Sequence, residues 1–267
     1  MSAFRTQSLC SFLRSRAILI PLSACLVAVS ADTTHAADCW IKIIVGPPFN
    51  LHILVVPSGC TYNVNGLESY SHVDVRAGGT LNLLGGSLLE VSHELRVADG
   101  GTFRFYADDG ETRPILRTTL ALNIFGHIQI VDPEDGDGGA GAEIARTSTT
   151  ILKFNPGSLV DTEGGNLLIS ADFENDGVIE AGDGWDVSIT GQISPNSSGQ
   201  FMAAAANSDM TFNHTTAVVI TGNADFEVTA GSMAFNQSVE TNGGFKQTGG
   251  AITVAAGKTF KATGAYP

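Results

Sequence analysis

Apolar and polar positions alternate in short bursts along most of this chain, and the bursts recur as one nine-residue unit. Val56-Pro57-Ser58-Gly59-Cys60-Thr61-Tyr62-Asn63-Val64, Val75-Arg76-Ala77-Gly78-Gly79-Thr80-Leu81-Asn82-Leu83 and Val97-Ala98-Asp99-Gly100-Gly101-Thr102-Phe103-Arg104-Phe105 share the form V-x-x-G-x-T-Φ-x-Φ, where Φ is apolar or aromatic. Val254-Ala255-Ala256-Gly257-Lys258-Thr259-Phe260-Lys261-Ala262 is a fourth copy. The first three copies start at Val56, Val75 and Val97, a nearly regular spacing. Each unit reads as a strand end, a glycine turn and a new strand. Period-two alternation puts Tyr62/Val64, Leu81/Leu83, Phe103/Phe105 and Phe260/Ala262 inward, and Asn63, Asn82, Arg104 and Lys261 outward. The glycine suits a corner with positive φ, and the β-branched threonine suits a strand start.

Looser alternation fills the middle of the chain. Phe173-Glu174-Asn175-Asp176-Gly177-Val178-Ile179, Asp186-Val187-Ser188-Ile189-Thr190-Gly191, Phe226-Glu227-Val228 and Met233-Ala234-Phe235-Asn236 are its clearest stretches. No helical periodicity follows residue 37. Short strands with regular turn signals mean a sandwich, a barrel or a solenoid. A repeat of roughly 20 residues favours the all-β solenoid, whose coils bury their inner faces only by stacking on one another. Residues 37–267 then make roughly eleven coils. A β-sandwich with look-alike strands is the alternative.

The Val-x-x-Gly-Gly-Thr-Leu-x-Leu and Phe-x-Asn-x-Gly-x-Ile units resemble the coils of exported bacterial parallel β-helix proteins: autotransporter passengers, filamentous-haemagglutinin-like adhesins and pectin-lyase-like proteins. The resemblance covers most of residues 50–265 and implies a right-handed parallel β-helix at the cell surface or outside the cell. It speaks for architecture rather than activity. The chain departs from autotransporters in having no amphipathic strands for a membrane barrel before Pro267. The expectation is another anchor, release, or a solenoid incomplete at its C-terminus.

The N-terminus changes the picture of compartment. Arg5, Arg14 and Arg16 precede an apolar run from Ala17 to Val29, and small residues follow. That order is a secretory signal, and the run is shorter than the roughly 20 apolar residues of a membrane span. Val29-Ser30-Ala31 and Thr34-His35-Ala36 both suit a signal peptidase; the second sets the expected boundary, a signal peptide at 1–36 and a solenoid at 37–267. Leu22-Ser23-Ala24-Cys25 offers a third reading, a lipobox that would place lipid on Cys25. Export makes disulfides available. Cys39 and Cys60 are separated by about one coil period, so they should stack and bond.

Charge excludes some partners. The chain has 14 Lys plus Arg against 27 Asp plus Glu, a formal charge of −13. Without residues 1–36 it keeps 11 basic (14 − 3) and 26 acidic (27 − 1) residues. Nucleic-acid binding needs clustered cations, so it is not expected. An extracellular or surface partner, glycan or protein, is, and no transmembrane segment in the mature chain.

Candidate chemistry is sparse. Asp132, Glu134, Asp135 and Asp137 form the densest acidic stretch, in a glycine-rich loop near 132–143. Oxygen ligands at that density suit Ca²⁺. Yet reading Asp135 and Asp137 as EF-hand positions three and five puts Pro133 at position one and Ile144 at position twelve, so a solvated loop is the expectation, calcium the alternative, and no other cofactor. His52, His72 and His93 recur near the coil period, but their offsets from Val56, Val75 and Val97 (−4, −3, −4) should turn His72 away from the other two. A polysaccharide hydrolase or lyase would draw on Glu174, Asp176, Glu180, Asp183 and Asp186, but no Lys or Arg lies between Lys153 and Lys246. There is no nucleophile elbow and no phosphate loop. The expectation is a non-enzymatic structural or adhesive β-helix, with a carbohydrate-active enzyme as the alternative. Asp74 and Arg96 precede their motif valines equivalently and should form an exposed ion pair between coils.

Overall fold

The computed structural model describes residues 40–46, 51–106, 112–131, 141–146 and 151–267. These contain 26 strands and no helix. The strands stack in parallel into a β-solenoid of about 9 turns with ~22-residue coils. The repeat predicts more and shorter coils than this. Coils grow longer through segments such as the one between His127–Val131 and Leu159–Thr162, which are direct neighbours in one sheet.

Each coil crosses three faces. Leu67–Val75 and Leu88–Val97 run unbroken across the first two. In the next coil the same path splits: Leu88 to Val91 pairs with Ile115–Thr118, and Glu94 to Val97 pairs with Ala121–Ile124. The third face is a nine-stranded parallel sheet running from Thr61–Val64 to Phe245–Gln247. Ile41–Val45 instead pairs antiparallel with Leu51–Val56. It covers the edge of the first coil, which would otherwise present unpaired backbone groups.

The core is a set of vertical columns. On the third face Tyr62, Leu81, Phe103, Ile128, Val160, Ile179, Phe201 and Phe226 lie in successive register, and all are buried. Val64, Leu83 and Phe105 are buried beside them, as alternation predicts. Phenylalanines continue the stack toward the C-terminal coils. Phe212 and Phe235 lie parallel at 4.9 Å between ring centroids, and Phe235 and Phe260 at 4.3 Å. Burying each such side chain contributes about 1.5–3 kcal/mol.

The glycine corner has two separate causes. Gly59, Gly78 and Gly100 have φ of +73°, +72° and +71°, a region that side chains avoid. In the following column, which Cys60 begins, Gly79 and Gly101 are restricted by contact: a Cβ on Gly79 would lie 2.6 Å from the Val56 carbonyl oxygen. Cys60 belongs to the first coil of this column and is buried. Cys39 lies outside the described residues, as do the expected signal segment, both expected cleavage sites and Cys25. Asn175 makes a different corner. It is fully buried; its Oδ1 accepts from the Gly177 N–H, and its Nδ2 donates to the Gln200 carbonyl of the next coil at 3.0 Å.

Four expectations change. The fourth motif copy keeps the turn, with Gly257 at φ +74°, but its strands, Ala251–Val254 and Phe260–Ala262, join the first and second faces. The first three copies turn from the second face to the third, so the fourth is not their structural equivalent. Asn82 points outward yet is only 7% exposed, because its Nδ2 donates to Asn63 Oδ1 at 2.7 Å and stacked neighbours cover it. Arg104, also expected to be exposed, is half-buried, and its Nε donates to Gln129 Oε1 at 2.8 Å. Asp74 and Arg96 do pair in register, at 3.3 Å. The pair is less exposed than expected, since Asp74 is buried and also meets Arg76 at 3.3 Å.

Candidate functional site

Outward positions of the third face form their own column: Asn63, Asn82, Arg104, Gln129, Asp161, Glu180, Met202, Glu227 and Lys246. Its middle is acidic. Asp161 stands between Gln129 and Glu180, each one strand away. Glu163 follows directly after the Asp161 strand, and His127 begins the Gln129 strand. Alternation fixes these directions, because inward Ile128, Val160 and Ile179 force their neighbours out. Asp183 caps the cluster from the turn after Glu180; its own φ is +52°. Thr162 anchors that turn from inside, where its buried Oγ1 accepts the Gly182 N–H at 2.9 Å.

His127, Asp161 and Glu163 each offer a ligand atom, and all three atoms lie within 4.8 Å of one another. His127 Nε2 is 4.0 Å from Asp161 Oδ2. Gln129 Nε2 donates to both Glu163 carboxylate oxygens, at 3.1 and 3.2 Å. Burial, reinforced by the charges of Glu180, Glu163 and Asp183, pushes the Asp161 carboxyl up to about 7. Burial and Asp183 raise Glu180 as well. Burial holds the His127 imidazole below its usual value, against the pull of Glu163 and with the push of Arg104. The arrangement can share a proton between carboxyls or hold a cation.

The five carboxylates singled out in sequence do not form one site. Glu180 and Asp183 belong to this cluster. Glu174 and Asp176 lie on the second face, where Lys153 Nζ meets them at 2.5 and 3.1 Å. Asp186 accepts the Asp209 N–H at 2.8 Å. The sequence gap in cations after Lys153 is therefore bridged in space, because Lys153 pairs in register with Glu174 of the next coil.

The histidines also depart from expectation. The register slips between Tyr70 and His72, and this bulge carries His72 onto His93, with rings stacked 5.2 Å apart at 19°. Parity of offsets fails wherever a bulge adds a residue. His52 is exposed, and its N–H donates to Ser71 Oγ. It lines a groove with Ser69, Tyr70, Glu90, Ser92 and Arg117. The calcium candidates Asp132, Glu134, Asp135 and Asp137 lie outside the described residues.

His127, Asp161 and Glu163 escaped sequence reading because the chain from Gln129 to its register partner Asp161 is much longer than the chain from Asn63 to Asn82. The available signal was the alternation itself, Ile128-Gln129-Ile130 over Val160-Asp161-Thr162. No helix among the described residues is long and apolar enough to cross a membrane. In comparisons with known proteins, no family model, no curated protein and no solved structure matches the chain.

Proposed function

We propose that this protein is an exported bacterial β-helix with a structural or adhesive role at the cell surface or outside the cell. One observation carries the reading: about 9 turns stack in register, and many outward polar groups are spent on neighbouring coils. Asn63 with Asn82, Asp74 with Arg96 and Arg104 with Gln129 are examples. Such side chains hold a long lateral surface rather than converge on a reacting centre. At the parallel strand spacing the stack is roughly 40 Å tall, a form suited to a stalk or to a flat partner surface, glycan or protein. The basic, apolar and small-residue order of the first 36 residues supports export.

The test is made in bacterial cells producing the full chain. Protease added to intact cells, or assay of the medium, should find the protein outside, with a mature N-terminus after Ala36. Cells lacking it should lose attachment to a surface or matrix. An intact chain retained in the cytoplasm would reject the reading.

A second reading, a polysaccharide hydrolase on the same scaffold, draws on Asp161. A carboxyl pushed up to about 7 beside other carboxylates is what an acid/base pair needs. It predicts reducing-sugar release that Asp161→Asn abolishes without unfolding the protein.

A further inference from the structure

We propose that His127, Asp161 and Glu163 form a binding site for a divalent transition-metal ion of the Mn²⁺ to Zn²⁺ group, held between two adjacent coils. The donor set comes first. One imidazole nitrogen and two carboxylates lie within 4.8 Å of one another. Two metal–ligand bonds of about 2.1 Å at a tetrahedral angle put their donors ~3.4 Å apart, so side-chain closure of about 1.5 Å or less brings the three onto one ion. All three are positioned by rigid strands or by the residue directly after one, and parallel register fixes which coil meets which.

His127 is the independent observation. Its Nε2 atom is buried and has no hydrogen-bond partner, while it faces Asp161 at 4.0 Å. A buried ring nitrogen left unpaired is costly, and a metal ion would satisfy it. The acidic residues also lack the cation that many of their counterparts have. On other coils several outward carboxylates meet a cation from an adjacent coil: Glu90 meets Arg117 at 2.9 Å, Glu227 meets Lys246 at 2.7 Å and Glu240 meets Lys261 at 2.5 Å. Among the described residues no Lys or Arg forms an ion pair with Asp161, Glu163, Glu180 or Asp183. The place that a Lys or Arg takes beside those other carboxylates is held here by a histidine.

The donors also select the ion. Imidazole suits Zn²⁺, Fe²⁺ and their neighbours, whereas Ca²⁺ and Mg²⁺ prefer all-oxygen sites. Gln129 is the outer support, because its amide donates to Glu163 and would orient that carboxylate. Three protein ligands leave positions for water.

The experiment is calorimetric titration of the metal-stripped mature protein with Zn²⁺ and, separately, Mn²⁺, with Ca²⁺ as comparison. One equivalent of Zn²⁺ or Mn²⁺ should bind, and Ca²⁺ at least tenfold more weakly. His127→Gln and Glu163→Gln should each weaken binding at least tenfold. Electron spin-echo spectra of the Mn²⁺ complex should show one coordinated imidazole nitrogen that His127→Gln removes. Glu163 is exposed, so Glu163→Gln retains the fold if His127→Gln does not. A double variant, Asp135→Asn with Asp137→Asn, should leave affinity unchanged. Absence of binding at millimolar metal, binding indifferent to both ligand variants, or preference for Ca²⁺ would overturn the proposal.

Discussion

Lys153 Nζ lies 2.5 Å from Glu174 Oε1, although the two residues are far apart in sequence. Parallel register makes them neighbours one strand apart, and the same ammonium reaches Asp176 at 3.1 Å. Burial tends to raise Asp176, but bonds from Ser198 and Lys153 prevail and hold its carboxyl below the usual range. Lys153 is 40% exposed, so water screens the attraction. Lys153→Met should therefore cost about 1 kcal/mol or less in urea unfolding, with the loss shrinking further in high salt.

The corner glycines should separate into two classes. Gly59 has open space where a Cβ would go and only its positive φ to protect it. Gly59→Ala should cost about 1–2 kcal/mol. At Gly79 the Cβ would lie 2.6 Å from the Val56 oxygen and 2.8 Å from the Pro57 oxygen, so neighbouring coils must part. Gly79→Ala should lower the denaturation midpoint further than Gly59→Ala; equal effects would mean that backbone conformation alone governs the corner.

Acid should loosen the solenoid through His214. This residue is 3% exposed; its Nδ1–H donates to the Gly191 carbonyl at 2.7 Å, and Nε2 is buried without a partner. Burial lowers its affinity for protons. Below pH ~6.5 the unfolded chain protonates this histidine while the folded chain does not, so stability falls as pH drops, by at most about 1.4 kcal/mol per pH unit for one proton. Proton uptake by Asp161, whose carboxyl is pushed up to about 7, works in the opposite direction over the same window, so the measurement is the difference between variants: from pH ~7.5 to ~5 His214→Phe should lose less stability, or gain more, than the unaltered chain. His72 and His127 shift in the same direction as His214, and Asp161 and Glu180 in the stabilising direction, so the variant keeps a pH dependence of its own.

The first coil should be covalently fastened. Cys60 is buried in the column that holds Gly79 and Gly101, and Cys39 precedes it by about one coil. Exported mature protein, denatured without reductant, should show no reactive thiol. Reduction should lower stability by about 3 kcal/mol. Two thiols before reduction would sink the pairing.

The strands and their inner faces were legible because alternation is local. Leu81, Leu83, Phe103 and Phe105 can be assigned inward from the few residues around each, and Gly59, Gly78 and Gly100 from one recurring turn. Repetition of that unit then determined a solenoid, since no coil can bury its inner face alone. Which outward residues meet was decided only in three dimensions. Along the third-face column the chain between register neighbours lengthens at every step, from Asn63 to Asn82, on to Arg104, on to Gln129 and on to Asp161. Added loop lengthens a coil without disturbing its register. One bulge was enough to turn His72 onto His93. Loop length is nearly free energetically and strand register is not, since a one-residue slip would turn every buried side chain outward. The sequence by itself therefore determined the architecture and each coil's inner face, while the meeting of His127 with Asp161, and of Lys153 with Glu174, was set by how the coils stack.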